Sequence, residues 1–120
     1  MQRSDTSFFI VIADAGKIIK FFKNHHAAKA LYDEMRSTEN GCSLSLPVPI
    51  RWYSQYISLQ SVLKSRYAIQ KVCDMHQEKL NKISKDLSNA VIKLARSAAF
   101  WVKVTNVVKL IEFPAKIIGN

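Results

Sequence analysis

The stretch Val11-Ile12-Ala13-Asp14-Ala15-Gly16-Lys17-Ile18-Ile19-Lys20-Phe21-Phe22-Lys23 decides how this chain folds. Its residues Val11, Ala15, Ile18, Ile19 and Phe22 recur at the spacing that gathers side chains on one face of a helix. Lys17, Lys20 and Lys23 fall beside or opposite that stripe. With a small drift the pattern continues through Ala27, Leu31 and Met35, so it predicts one helix from about Ser7 to Arg36 with a basic flank that includes Lys29. The start of that helix is open. Phe8-Phe9-Ile10-Val11-Ile12 is aromatic and β-branched, and periodicity alone does not separate a short buried strand from the first helical turns.

Working outward, residues 37–49 read as a loop, because Ser, Thr, Asn, Gly and two prolines cluster there and each proline pushes the residue before it away from helical geometry. A second helix is predicted from about Arg51 to Met75 on Trp52, Tyr56, Leu59, Leu63 and Tyr67, broadened by Val62, Ile69 and Val72. A third covers roughly Glu78 to Arg96, with Leu80, Ile83, Leu87, Val91 and Leu94 on one face. Ser97 is placed to cap a fourth, whose buried side is Phe100, Trp101, Val104, Val107, Val108 and Ile111 and which Pro114 should end or kink. The expected fold class is therefore mainly α, a four-helix arrangement within one domain over residues 1–120.

Composition agrees with that class. Three glycines and three prolines are too few for an all-β chain full of tight turns, and 48% hydrophobic content suffices for a core without disulfides or metal. Lys and Arg outnumber Asp and Glu by 18 to 9, and the resulting formal charge of +9 points to polyanions as partners. Nucleic acid comes first and an anionic membrane surface second. The charges are spread from Arg3 to Lys116, which describes a basic surface on a folded body. No apolar run approaches membrane-spanning length, so the chain should be soluble or peripheral; of the two polyanions DNA is the expected partner and membrane is not. Cys42 and Cys73, with no secretory pattern around them, read as reduced thiols in a nuclear or cytoplasmic compartment.

The chemistry-bearing residues give little for catalysis. Cys73-Asp74-Met75-His76 places a thiol and an imidazole on neighbouring helical positions, yet two ligands do not make a zinc site, and no orienting carboxylate or oxyanion hole accompanies them. Gly16-Lys17 lacks the upstream glycine of a phosphate loop. The nine acidic residues are scattered, with no sign of the convergence a two-metal site needs. Expected catalytic residues, metal ligands and cofactors are accordingly none. Lys17, Lys20, Lys23, Lys79, Lys82 and Lys85 can each meet a phosphate, although lysines so spaced usually just solvate a helix. Arg51-Trp52 stands apart. A planar cationic fork beside an indole suits a phosphate and an unpaired base together, with membership of the apolar stripe as the competing reading of Trp52.

Taken in order, Ala13-Asp14-Ala15-Gly16-Lys17 through His25-His26, Leu46-Pro47, Arg51-Trp52-Tyr53-Ser54, Phe100-Trp101 and Phe113-Pro114 resemble the middle of a hAT-superfamily transposase. That family has a ribonuclease-H-like catalytic core interrupted by a helical insertion, and it cuts and joins DNA with metal held by three separated carboxylates. The resemblance implies a fragment of that fold, with the catalytic carboxylates lying outside this stretch. Arg51 and Trp52 match a functional element, the tryptophan being implicated in handling a flipped base. Ile50 stands where threonine is usual in the family, and Tyr53 where asparagine is common. The expectation is a DNA-associated, catalytically inactive transposase-like fragment, able to self-associate through exposed apolar helix faces. The alternatives are a small basic DNA- or RNA-binding module and a helix-mediated interaction protein.

Overall fold

Val11, Ala15, Ile18, Ile19 and Phe22 are all buried, on a helix α1 that runs Gln2–Asn24. A computed structural model describes the backbone of residues 2–46 and 52–119 and the side chains of residues 8–46 and 53–112. Among these residues there are seven helices and no strand. After α1 come α2 (His26–Thr38), α3 (Trp52–Lys64), α4 (Arg66–Met75), α5 (Gln77–Ile83), α6 (Lys85–Arg96) and α7 (Ala98–Gly119). The mainly α class holds, and Phe8 to Ile12 are helical. The helix count of four is corrected to seven, and the sheet that a ribonuclease-H-like core requires is absent among the described residues.

The extra helix breaks fall at His25, Ser65 and Ser84, none of them glycine or proline, whereas His76 lies in the predicted gap between Met75 and Glu78. At His25 the backbone turns extended (φ −117°, ψ 116°), and the imidazole Nδ1 donates to the Phe21 carbonyl at 3.0 Å. A side chain thus occupies the acceptor that a continuing helix would have used. Ser65 is pulled out of line by a tertiary partner. Its Oγ accepts from the Cys42 backbone N–H (3.0 Å) and donates to the Cys42 carbonyl (3.2 Å). At Ser84 the backbone is again extended (φ −162°, ψ 112°), and Oγ accepts from Leu87 N–H as the N-cap of α6.

Each break resets the helical phase, and this corrects three predicted core positions. Beyond Ser84 the buried stripe of α6 is Ser88, Val91, Ile92 and Ala95, which leaves Leu87 52% exposed. Beyond Ser65, α4 buries Ala68, Ile69, Val72 and Cys73, and Tyr67 is 68% exposed. Ala27 is likewise exposed, its neighbour Ala28 being buried in its place. α7 matches expectation at its start, where Ser97 Oγ accepts from Phe100 N–H at 3.2 Å. It continues past Pro114 to Gly119, so that proline does not end it. The carbonyl that loses its donor there belongs to Leu110, an exposed residue where water can replace the missing bond.

α3 packs along α7 in the broadest helix contact, and the α5–α6 corner lies on the α1–α2 corner, α6 against α1 and α5 against α2. Within residues 39–46 the chain is fastened to this frame by Lys23 Nζ donating to Leu44 O (2.8 Å), Tyr32 Oη to Cys42 O, and Ser45 N–H to Ser61 Oγ (3.2 Å). α2 ends in a left-handed turn in which Asn40 has φ 57° and Gly41 N–H bonds Arg36 O at 3.0 Å. The remainder of the predicted 37–49 loop, 47–49, lies outside the described residues.

Two glycine substitutions should change stability in opposite directions. A Cβ on Gly41 would sit 3.0 Å from Arg36 Cβ and 3.1 Å from Ala68 Cβ, where α2 and α4 close on each other. Gly41→Ala is expected to destabilise by about 1–3 kcal/mol. Gly16 lies inside α1 with nothing within 4 Å of such a Cβ, so Gly16→Ala should stabilise by about 0.5–1 kcal/mol. Urea unfolding followed by circular dichroism tests both, and equal shifts would contradict the described α2–α4 approach.

Candidate polyanion interface

The interface begins with lysines that the sequence places about sixty residues apart. Where α6 lies on α1, a groove of about 250 Å³ is lined by Lys17, Lys20, Phe21, Asn24, His25, Leu87, Ala90 and Val91. Where α5 lies on α2, a second groove of about 490 Å³ is lined by Ala27, Ala30, Leu31, Glu34, Lys79, Lys82 and Ile83. Both belong to the seam between the two helical corners. The breaks at His25 and Ser84 create it, since straight helices through those residues would give no corners to pack.

The charges along this seam are largely unmatched. The exposed Lys17 stands 3.5 Å from the half-buried Asp14, a long pair of small energetic weight. Among the described residues, Lys20, Lys79 and Lys82 make no ion pair, whereas Lys29, Arg36, Lys71 and Arg96 are held by Asp33, Glu39 and Asp74. Glu34 is the one carboxylate among the lining residues of the two grooves. Of the other singled-out lysines, Lys23 is turned to Leu44 O and Lys85 is exposed at the first turn of α6.

Arg51 lies outside the described residues. Trp52 opens α3, and its side chain lies outside them too. A different arginine–aromatic cluster is described, which the sequence reading missed. The Arg66 guanidinium sits over Trp101 at 5.4 Å and Tyr67 at 5.9 Å from the ring centroids, with Nε buried and lacking a hydrogen-bond partner. No local spacing signals it, because Arg66, at the start of α4, reaches Trp101 only through the packing of α3 on α7.

Cys73 and His76 are not brought together as a nucleophile pair. Cys73 is fully buried, and burial, with Asp74 acting in the same direction, pushes its thiol up to about 12. A thiol so protonated is a packing residue. Cys42 Sγ donates instead to Ser61 O at 3.6 Å, and neither cysteine forms a disulfide. Among the described residues no three His, Cys, Asp or Glu side chains are grouped to hold a metal ion, and no helix is long and apolar enough to cross a membrane.

Burial also raises the Tyr32 phenol to about 12 from its usual 10.0. Tyr32 and Cys73 therefore hold their protons more tightly when folded than when unfolded. Their contribution is complete below the unfolded values near 9 and 10, and it is lost as pH rises toward 12. At about 1.4 kcal/mol per pKa unit this withdraws several kcal/mol. The urea midpoint should fall steeply above pH 9, and Tyr32→Phe should flatten part of that slope. A midpoint indifferent to pH over this range would show that neither group is sealed.

The chain matches no protein-family model, no curated protein and no solved structure.

Proposed function

We propose that this chain is a basic, all-helical DNA-binding domain without catalytic activity of its own, corresponding to the helical part of a hAT-type transposase. The observation that carries the DNA reading is that Lys17 and Lys20 line the α1–α6 groove and Lys79 and Lys82 the α2–α5 groove, with a single carboxylate among the lining residues of the two. Side chains of this kind neutralise phosphates and release condensed counterions, a sequence-independent mode of binding. The transposase reading rests on the ordered resemblance from Ala13 to Pro114 and is compatible with a wholly helical body, since that family carries a helical insertion. In this reading the sheet and the catalytic carboxylates belong to other parts of such a protein. Arg51 and Trp52 remain its candidate contacts to a distorted or unpaired base.

A labelled DNA duplex titrated at several salt concentrations tests the first part. The logarithm of affinity should fall linearly with the logarithm of salt concentration, and absence of binding at low ionic strength would reject it. Incubation with magnesium or manganese and hairpin or nicked DNA tests the second. No cleavage above a Trp52→Ala control is expected, and metal-dependent product would overturn the non-catalytic reading.

A further inference from the structure

We infer that the groove between α1 and α6 is a docking site for an amphipathic helix carrying acidic residues on the flanks of its apolar ridge. This goes beyond DNA binding, because it uses the floor of the groove as well as its lysines.

The floor is apolar. Phe21 and Val91 form its base, with Ala90 and Leu87 on the α6 side, and Leu87 is a large aliphatic residue left 52% exposed. At about 250 Å³ the groove is smaller than the roughly 300–1,000 Å³ of small-molecule sites, and suits an apolar anchor side chain. Two helices side by side present a furrow in which a third can lay an i, i+3, i+4, i+7 ridge. A DNA duplex has no such ridge. It would meet Lys17 and Lys20 and leave the floor uncovered.

Charge selects the partner. Lys17 and Lys20 stand among the lining residues, and no carboxylate does, so glutamates flanking the ridge would find cations there. A second copy of this chain is poorly suited to that place. Each copy carries a formal +9, and Asp14, Asp33, Glu39 and Asp74 are already paired with cations of their own chain.

The test uses the full chain and three fluorescein-labelled probes: a helical peptide with a leucine ridge flanked by glutamates, the same ridge flanked by lysines, and a short DNA duplex. The glutamate peptide should bind saturably by anisotropy, and the lysine version at least about 10-fold more weakly. Leu87→Ser should weaken the glutamate peptide about 10-fold or more while leaving DNA affinity within about twofold, because it removes the apolar anchor surface without changing the charge beside Lys17 and Lys20. Ala90→Gln provides a second charge-neutral floor variant, and thermal melts establish that both are folded. The proposal is overturned if the glutamate peptide does not saturate, if both floor variants bind it like the parent, or if the lysine-flanked ridge binds equally well. A reversible dimer of the free chain that Leu87→Ser dissolves would overturn it too, by assigning the groove to a second copy. Loss of peptide binding with DNA binding retained separates failure of this proposal from failure of the DNA reading.

Discussion

Truncation of Trp101 to alanine is expected to cost about 3–5 kcal/mol, the largest effect of any single substitution considered in this chain. Domains of this size are stable by only about 5–15 kcal/mol in total. The indole is 1% exposed, meets Phe100 edge-on at 5.1 Å between centroids, and supports the Arg66 guanidinium on its face. Its Nε1 donates to the Ala95 carbonyl at 2.8 Å, tying α7 back to the end of α6. Alanine removes all of this in one step, and the cavity lies between helices that cannot close on it without moving α7 away from α3. A fall in melting temperature of about 10–20 °C follows from the usual unfolding entropy of such a chain. Trp101→Phe separates the contributions. The ring volume is largely kept, and the Ala95 carbonyl still accepts from Gln70 Nε2 at 3.1 Å, so only about 1–2 kcal/mol should be lost. An alanine variant that melts with the parent would mean that α7 is not packed on α3 and α6 as described.

The residues around Trp101 also show which parts of the fold a linear reading can reach. Phe100, Trp101, Val104, Val107, Val108 and Ile111 were all expected on one buried face, and all are buried. That face lies in a single unbroken helix, where periodicity is a reliable guide. The α1 stripe from Val11 to Phe22 succeeded for the same reason. Periodicity fails once a helix is interrupted. Ser65 breaks the second predicted helix because its hydroxyl serves Cys42, twenty-three residues away in the chain, and nothing next to Ser65 announces that partner. Leu87 and Tyr67 were therefore assigned to a core they do not enter. Ser84 did carry a local signal, since serine before Lys85-Asp86-Leu87 is a standard N-cap pattern, but the apolar spacing on either side of it looked continuous. The candidate site was legible only as two separate lysine runs. Their placement in the two grooves between the helical corners depends on the breaks at His25 and Ser84, and so does the apolar floor beneath Lys17 and Lys20.

Reversing Lys17, Lys20, Lys79 and Lys82 to glutamate is expected to weaken duplex DNA binding by about 100-fold or more at low salt, and to reduce the salt slope by about 3–4. Each reversal changes the formal charge by two, so the four together remove eight of the nine net positive charges. A fall in affinity alone would therefore not distinguish a site from a general loss of charge. The control is an equal reversal elsewhere. Lys64, Lys93, Lys103 and Lys109 are exposed and line neither groove, and replacing them with glutamate gives a chain of the same formal charge. If DNA lies along the seam, the first set removes phosphate contacts made at short range. The second weakens only the long-range attraction, which is screened beyond about 8–10 Å in ordinary buffer. The seam variant should then bind at least about 10-fold more weakly than the control, with a salt slope lower by about 2 or more. Both should melt close to the parent, because the substituted side chains are exposed and Lys17 loses only a pair with Asp14 worth about 0–1 kcal/mol. Equal loss in the two variants would show that DNA responds to the total charge of the molecule, and the seam would then have no special place in binding.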